Sequence, residues 1–351
     1  MAAELPTVRH ITEEKRVLSV QSHVVSGYAG NKSAVFPLQL LGYEVDYLNT
    51  VQFSNHTGPR YGRFKGQRFD AQHLEDIFSA LDANGLFKQS HLLTGYTPSA
   101  QALETVSKVV DRLRQINPNL VYVCDTVCGD DGRLYVAQEV IPIYKQLISK
   151  ATVITPNQFE AEIFADAEIT SVASLKAALT SFHTTYGLPN VVISSLSLPR
   201  AEVEQGGISI PANVQGDNFL ICAGSSKLSP DEPARAFVIT FPKLHEHYEG
   251  VGDVFSSLTC AYFNPVDYSN TLSALAYTAE HAIASLSGVI LNTRDYAYKS
   301  AARDGTNVSL VPSVEETADN RMHRLSYVEL RLVQSAQHIL NPTVVHKAQP
   351  L

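Results

Sequence analysis

Thr152-Val153-Ile154-Thr155-Pro156-Asn157-Gln158-Phe159-Glu160 decides how this chain is organised. Three β-branched residues run into a Thr-Pro-Asn step, which hands over at once to the helix-period segment Gln158 to Phe164. β-Branched side chains suit a strand, proline cannot continue one, and asparagine caps helices well. The unit is therefore strand, tight turn, helix. Working outward, short apolar strands are expected at Arg16 to Val20, Glu44 to Leu48, His91 to Thr94, Leu120 to Cys124 and Asn190 to Ser194. Helices are expected between them at Gly30 to Leu41, Ala71 to Asn84, Ser99 to Ile116, Val136 to Ser149 and Ser171 to Tyr186. This alternation predicts an α/β fold: a doubly wound, mostly parallel central sheet flanked by helices. After Pro199 the pattern changes. Phe219 to Ala223 and Ala236 to Phe241 read as neighbouring strands joined by a loop, followed by helices at Asp253 to Tyr262, Leu272 to Leu291 and Ser326 to Leu340. Residues 16–351 read as a single domain behind an N-terminal extension, residues 1–15, expected to be disordered. Arg294 to Asn320 has weak periodicity and is expected to be exposed or mobile.

Composition narrows the function classes. The chain has 351 residues, 44% hydrophobic and 18% charged, which is enough apolar material for a sizeable core. A net charge of −8 argues against a nucleic-acid surface. It does not argue against a phosphate ligand, because backbone N–H groups, helix N-termini and Mg²⁺ hold phosphates locally. No run approaches the ~18 apolar residues of a membrane span, and Met1 to Lys15 lacks a signal-peptide core, so the expected location is cytoplasmic. Cys124, Cys128, Cys222 and Cys260 fit neither zinc spacing nor a disulfide framework and read as reduced, buried thiols.

Ligands of doubly wound sheets bind at the carboxyl ends of the strands, and three sequence elements fall there. Gly250-Val251-Gly252-Asp253 opens the helix Val254 to Tyr262. Its glycines let backbone approach a ligand, its N–H groups lie at a helix N-terminus, and Asp253 could take a proton from an attacking alcohol. Alone, the motif reads first as a glycine turn with a capping Asp. In the second element Asn157 and Glu160 share one helix face, where Glu160 could hold Mg²⁺ or simply complete an exposed cap. Third is Cys124-Asp125-Thr126-Val127-Cys128-Gly129-Asp130, whose acids also suit solvated loop positions. Four carboxylates at three strand ends are the raw material of metal–phosphate chemistry.

The pairing of NxxE (Asn157 to Glu160) with GxGD (Gly250 to Asp253) is the signature of ribokinase-like kinases. Within that superfamily the chain resembles the pyridoxal kinases. The blocks that carry the likeness are Ser19 to Val24, Gly27 to Asn31, Val51 to Gly58, Leu93 to Thr97, Val121 to Asp125, Ile154 to Glu162 and Glu329 to Ser335, in family order. The resemblance implies an ATP-dependent phosphorylation of the pyridoxal 5′-hydroxyl, with pyridoxine and pyridoxamine also accepted. It implies Asp253 as general base and Gly250, Val251 and Gly252 as an anion hole. Asp130 and Glu160 would organise Mg²⁺, with Asp125 and Thr155 near a second or monovalent cation such as K⁺. Thr155, Asn157, Ser194 and Ser195 would line the nucleotide, with Asp130 and Tyr135 in the loop covering the phosphates. Ser22, Phe53, Thr57 and Tyr96 would surround the pyridine ring, with Gly58 to Gly66 as a cover. A homodimer is implied as well. Competing readings are a hydroxymethylpyrimidine or other small-alcohol kinase of the same fold, and an inactive vitamin- or nucleotide-binding relative.

The chain departs from the family in places. Val251 stands where a threonine is usual, and Thr126 and Cys128 replace a proline and an apolar residue. Two apparent motifs are set aside. Gly27 to Ser33 lacks P-loop spacing, and His245-Glu246-His247 has no third metal ligand in view.

Overall fold

The computed structural model describes residues 15–57, 63–229, 231–265, 272–305, 310–311 and 327–351. Most of the N-terminal extension, residues 58–62 of the expected vitamin-side cover and much of 294–320 thus lie outside the described residues. The strands are β1 (Arg16–Val24), β2 (Glu44–Phe53), β3 (Gly66–Arg68), β4 (His91–Thr94), β5 (Val121–Cys124), β6 (Gly129–Asp130), β7 (Arg133–Leu134), β8 (Val153–Ile154), β9 (Asn190–Leu196), β10 (Phe219–Ser226), β11 (Arg235–Pro242) and β12 (Gln349–Pro350). The helices are α1 (Asn31–Leu40), α2 (Ala71–Ala83), α3 (Ala100–Ile116), α4 (Val140–Ile148), α5 (Gln158–Ala165), α6 (Val172–Tyr186), α7 (Arg200–Gln205), α8 (Val251–Tyr262), α9 (Ala274–Arg303) and α10 (Ala336–Leu340).

One sheet carries the order β12-β11-β10-β9-β8-β5-β4-β1-β2-β3, and β6-β7 forms a separate hairpin. From β9 to β2 the pairing is parallel, and antiparallel strands close both edges. Successive residues of each strand feed opposite cores, as the two-residue strand period requires. Leu18, Leu92, Tyr122, Ile154 and Val191 pack with α2 to α7. Their neighbours Val17, Leu93, Val121, Val123, Val153 and Val192 pack with α1, α8, α9 and α10. That double use explains why the strands read as nearly continuous apolar runs. β1 is the point where strand order reverses, since β2 lies on one side and β4 on the other, and a crevice opens there at the strands' carboxyl ends.

Three expectations need correction. The helix expected from Val136 begins at Val140, because Gln138 and Glu139 form a turn against the Ala137 carbonyl. α9 does not stop at Leu291 but runs to Arg303, burying Val289, Thr293, Ala297, Ser300 and Ala301. Small residues at helical spacing make that stripe, which apolar periodicity overlooks. By length and composition α9 could cross a membrane, yet it packs into the core beside α8 and α10 as core helices do. Of the helix expected over Ser326 to Leu340, the described residues show a helical Tyr327, a 3₁₀ turn at Val333–Ser335 and α10, with no helix over 328–332. There Val328, Leu330 and Leu332 are buried while Glu329 and Arg331 are not, the period of extended chain.

Candidate active site

Asp253 is the third residue of α8. The helix is capped by Gly250 at φ 78°, where a side chain would collide with the Tyr28 carbonyl. The first N–H to bond within the helix is that of Val254, to Gly250 O at 3.1 Å. The N–H groups of Val251, Gly252 and Asp253 therefore have no partner in the helix and offer an anion site with the positive end of the helix dipole. Gly252 has an ordinary backbone conformation, and a Cβ there would meet no atom within 4 Å. Asp253 does not cap the helix. Its Oδ2 accepts the Gly30 N–H at 2.7 Å, across 223 residues of chain. Gly30 (φ 55°, ψ −131°) can present that N–H because it has no Cβ to strike the Ser22 carbonyl. Loss of hydration raises the pKa of the half-buried Asp253 carboxyl, and the Gly30 N–H pulls it partly back.

The NxxE turn forms a capping box at α5. Asn157 Oδ1 accepts the Glu160 N–H at 2.9 Å, and Glu160 Oε2 accepts the Asn157 N–H at 3.1 Å. Glu160 reaches further: Oε1 accepts the Cys128 N–H at 2.8 Å and Oε2 lies 3.4 Å from the Thr126 hydroxyl. Asn157 Nδ2 donates to the Gly129 carbonyl at 2.8 Å. The pair thus staples the turn after β8 to the loop after β5. Glu160 is buried at 3% exposure, so the exposed-cap reading fails. Burial pushes its carboxyl up to about 7 against the pull of the Cys128, Asn157 and Gly129 N–H groups.

Asp125, placed near a second or monovalent cation by the resemblance and equally suited to a solvated loop, is only 5% exposed, which rules out the solvated position. Its Oδ2 and the Thr155 hydroxyl are buried without a hydrogen-bond partner. Desolvation first, then the charges of Glu160 and Asp253, hold its pKa well above the usual carboxylate range, while the Ser256 and Thr155 hydroxyls act the other way. Uncompensated buried acceptors of this kind suit a cation. Asp130 lies in the β6-β7 hairpin with Oδ1 on the Asp131 N–H at 2.9 Å, its pKa raised mainly by desolvation. Among the described residues no group of three His, Cys, Asp or Glu side chains could hold a metal by itself. A divalent ion here would need phosphate oxygens and water to complete its shell, as Mg²⁺ ordinarily does.

Tyr135 is exposed beside the same hairpin, its N–H on the Cys128 carbonyl at 2.8 Å. Desolvation and the neighbouring Asp130, Asp131, Glu249 and Glu160 charges push its phenol up to about 12. Ser194 and Ser195 lie toward the carboxyl end of β9, and Ser194 N–H bonds the Pro156 carbonyl at 2.9 Å. Across the crevice Phe53 joins a small separate apolar cluster with Val24, Ala29 and Val51, against which Tyr96 packs. Ser22 lies on β1 against Gly30, while Thr57 is exposed at the end of the described loop. The four cysteines are free and buried.

Gly30 as the anchor of Asp253 was not legible, since nothing local marks a glycine whose N–H is needed. Nor was the ion pair His56 Nδ1–Glu249 Oε2, at 2.7 Å, between the loop after β2 and the segment before α8. The only local hint was an acid immediately before the glycine turn.

A glycine-cradled helix N-terminus, an acid at its third residue and an Asn-Glu staple at the carboxyl ends of a doubly wound sheet define a ribokinase-like phosphotransferase. Residues 71–212 match a family model described as phosphomethylpyrimidine kinase. The chain is 40% identical to the pyridoxal kinase of Arabidopsis thaliana (95% of this chain, 94% of the relative) and 36% to that of Homo sapiens (97% and 99%). A solved Leishmania donovani pyridoxal kinase in complex with ADP and pyridoxamine superposes with a TM-score of 0.76 at 32% identity, covering 96% of this chain and all of the other. The chain belongs to the pyridoxal kinase family.

Proposed function

We propose that this chain transfers the γ-phosphoryl group of ATP to the 5′-hydroxyl of pyridoxal, and of pyridoxine and pyridoxamine, with Asp253 as the general base. The observation that carries the reading is the setting of Asp253. One carboxylate oxygen is fixed by the Gly30 N–H, the other accepts no hydrogen bond from the described residues, and three unpaired helix N–H groups lie alongside. A carboxyl whose pKa is raised above the ordinary carboxylate value is a somewhat stronger base toward a hydroxyl proton. The N–H groups of Gly250 to Asp253 would stabilise charge on the transferring phosphoryl as it develops, which needs no side-chain hydroxyl at Val251.

Asp130 and Glu160 would organise Mg²⁺, and Asp125 with Thr155 a second or monovalent cation such as K⁺. Bound there, the ions would neutralise phosphate charge and relieve the uncompensated acceptors. Ser194, Ser195, Asn157 and Tyr135 would border the nucleotide, and Ser22, Phe53, Thr57 and Tyr96 the vitamin. The likeness of this chain to kinases solved with ADP and pyridoxamine or pyridoxine supports that division. A cytoplasmic homodimer completes the reading, tested by light scattering and cell fractionation. The activity is tested by turnover of ATP with each vitamer and with hydroxymethylpyrimidine. Phosphorylation of the pyrimidine alone would replace the vitamin reading, and no turnover with any acceptor would leave an inactive relative.

A further inference from the structure

Two segments that meet over Asp253 come from different parts of the chain. The loop after β2 carries His56 and Thr57, and the segment before α8 carries Glu249 and Gly250. They are joined by His56 Nδ1–Glu249 Oε2 at 2.7 Å. The Glu249 side chain is only 9% exposed and that of His56 33%, so the pair is shielded from much of the water that weakens surface ion pairs. Glu249 Oε1 also lies 3.8 Å from Nε2 of the more exposed His247. The pair is close enough to Asp253 for both charges to act on it, His56 favouring the ionised carboxylate and Glu249 opposing it. The Asn55 side chain ties the same loop back by donating to the His56 and Arg63 carbonyls, both at 3.1 Å.

We propose that His56 and Glu249 form a clasp that positions the vitamin-side loop, with Thr57, against the turn that carries the base, so that the pair governs capture of the vitamer rather than of ATP. The inference rests on the reading of Asp253 and Thr57 as the acceptor side of the site. The physical reason is placement. The clasp joins the two walls between which the acceptor hydroxyl would lie, whereas the groups assigned to the nucleotide sit in the segments that follow β5 and β8 and at the carboxyl end of β9. Glu249 directly precedes Gly250, the cap of α8, whose carbonyl takes the Val254 N–H at 3.1 Å and which lies so close to the Tyr28 carbonyl that a side chain there would collide with it. An acid there can therefore hold the loop against a fixed point. Neither residue needs to touch the reacting atoms, and both are positioning residues.

The test is a double-mutant cycle of Glu249→Gln, His56→Gln and the double variant, with KM for pyridoxal and for ATP measured separately and thermal melting recorded. Each single variant should raise KM for pyridoxal by about three- to ten-fold, the range expected for a shielded pair, and leave KM for ATP within about two-fold. The double variant should lose clearly less than the product of the two single losses, because the contact they share is removed only once. Additive losses, equal rises in both KM values, or an unchanged KM for pyridoxal would each overturn the clasp. Failure of the reading beneath it looks different: an Asp253→Ala enzyme with normal kcat would remove the base, whatever the cycle shows.

Discussion

Glu160 and Asp253 are both carboxylates in the first turn of a helix at the carboxyl edge of one sheet, and both have raised pKa values, but the structure uses them differently. Glu160 is fully buried, and its two oxygens take the N–H groups of Cys128 and Asn157, with Thr126 and Gly129 near by. Asp253 is half-buried and takes one N–H, that of Gly30. The first carboxylate holds two loops in register, while the second has one oxygen that accepts no hydrogen bond from the described residues. Glu160 is buried with both oxygens on backbone donors, so an acceptor hydroxyl has little access to it even though burial raises its pKa to about 7. The comparison therefore supports the proposed division, with proton transfer by Asp253 and organisation of the phosphate side by Glu160.

The sharpest way to break that assignment is Asp253→Ala, expected to lower kcat by about 10²–10⁴ while ATP binding survives. Steady-state kinetics beside nucleotide titration decides it, and near-parental turnover would return Asp253 to a structural role. Next in size is Gly252→Val. Its backbone is ordinary and no protein atom opposes a Cβ, so the variant should melt like the parent yet lose most of its turnover, because the side chain would obstruct phosphate at the helix N-terminus. Gly250→Val should instead lower the melting temperature, because its positive φ and the Tyr28 carbonyl leave no room.

Glu160→Gln should raise the Mg²⁺ requirement several-fold with smaller loss of kcat at saturation, read from a Mg²⁺ titration. It has a second readout. A carboxyl whose folded pKa of about 7 lies above its ordinary 4.5 supports folding fully at low pH, and that support is lost as pH rises through about 7. The ligand-free variant should therefore gain stability relative to the parent as melting is followed from about pH 5 to about pH 8. A constant difference would mean that Glu160 is ionised throughout. The smallest effect is expected from Val251→Thr, a few-fold in kcat/KM for ATP, since one neutral hydrogen bond contributes about 0.5–1.5 kcal/mol. A rise of several orders of magnitude would mean that the backbone N–H groups do not suffice.

Much of this was readable from local pattern. Thr152 to Glu160 announced its strand, turn and cap, because Pro and Asn act on the backbone within a few residues of themselves. The glycine turn at Gly250 was equally plain. Local pattern misled where the signal was short or unusual. Val328 to Leu332 alternates for only five residues and was absorbed into a helix. Its extended course is set by long-range bonds: the Arg331 N–H to the Thr293 hydroxyl at 3.0 Å, and Glu329 to the Tyr28 N–H at 2.9 Å. Asp125 looked like a loop acid because nothing in its neighbours reveals that β4, β5 and α8 close over it.

By itself, then, the sequence determined the alternation of strands and helices, the two-faced sheet and the stations of the acids, all consequences of backbone preferences and side-chain period. Only the tertiary structure decided what each acid has around it. Gly30 meets Asp253, Asn157 meets Gly129 and Glu249 meets His56 through chain separations that no local rule spans. A carboxylate's role depends on its donors and its water, and packing supplies both.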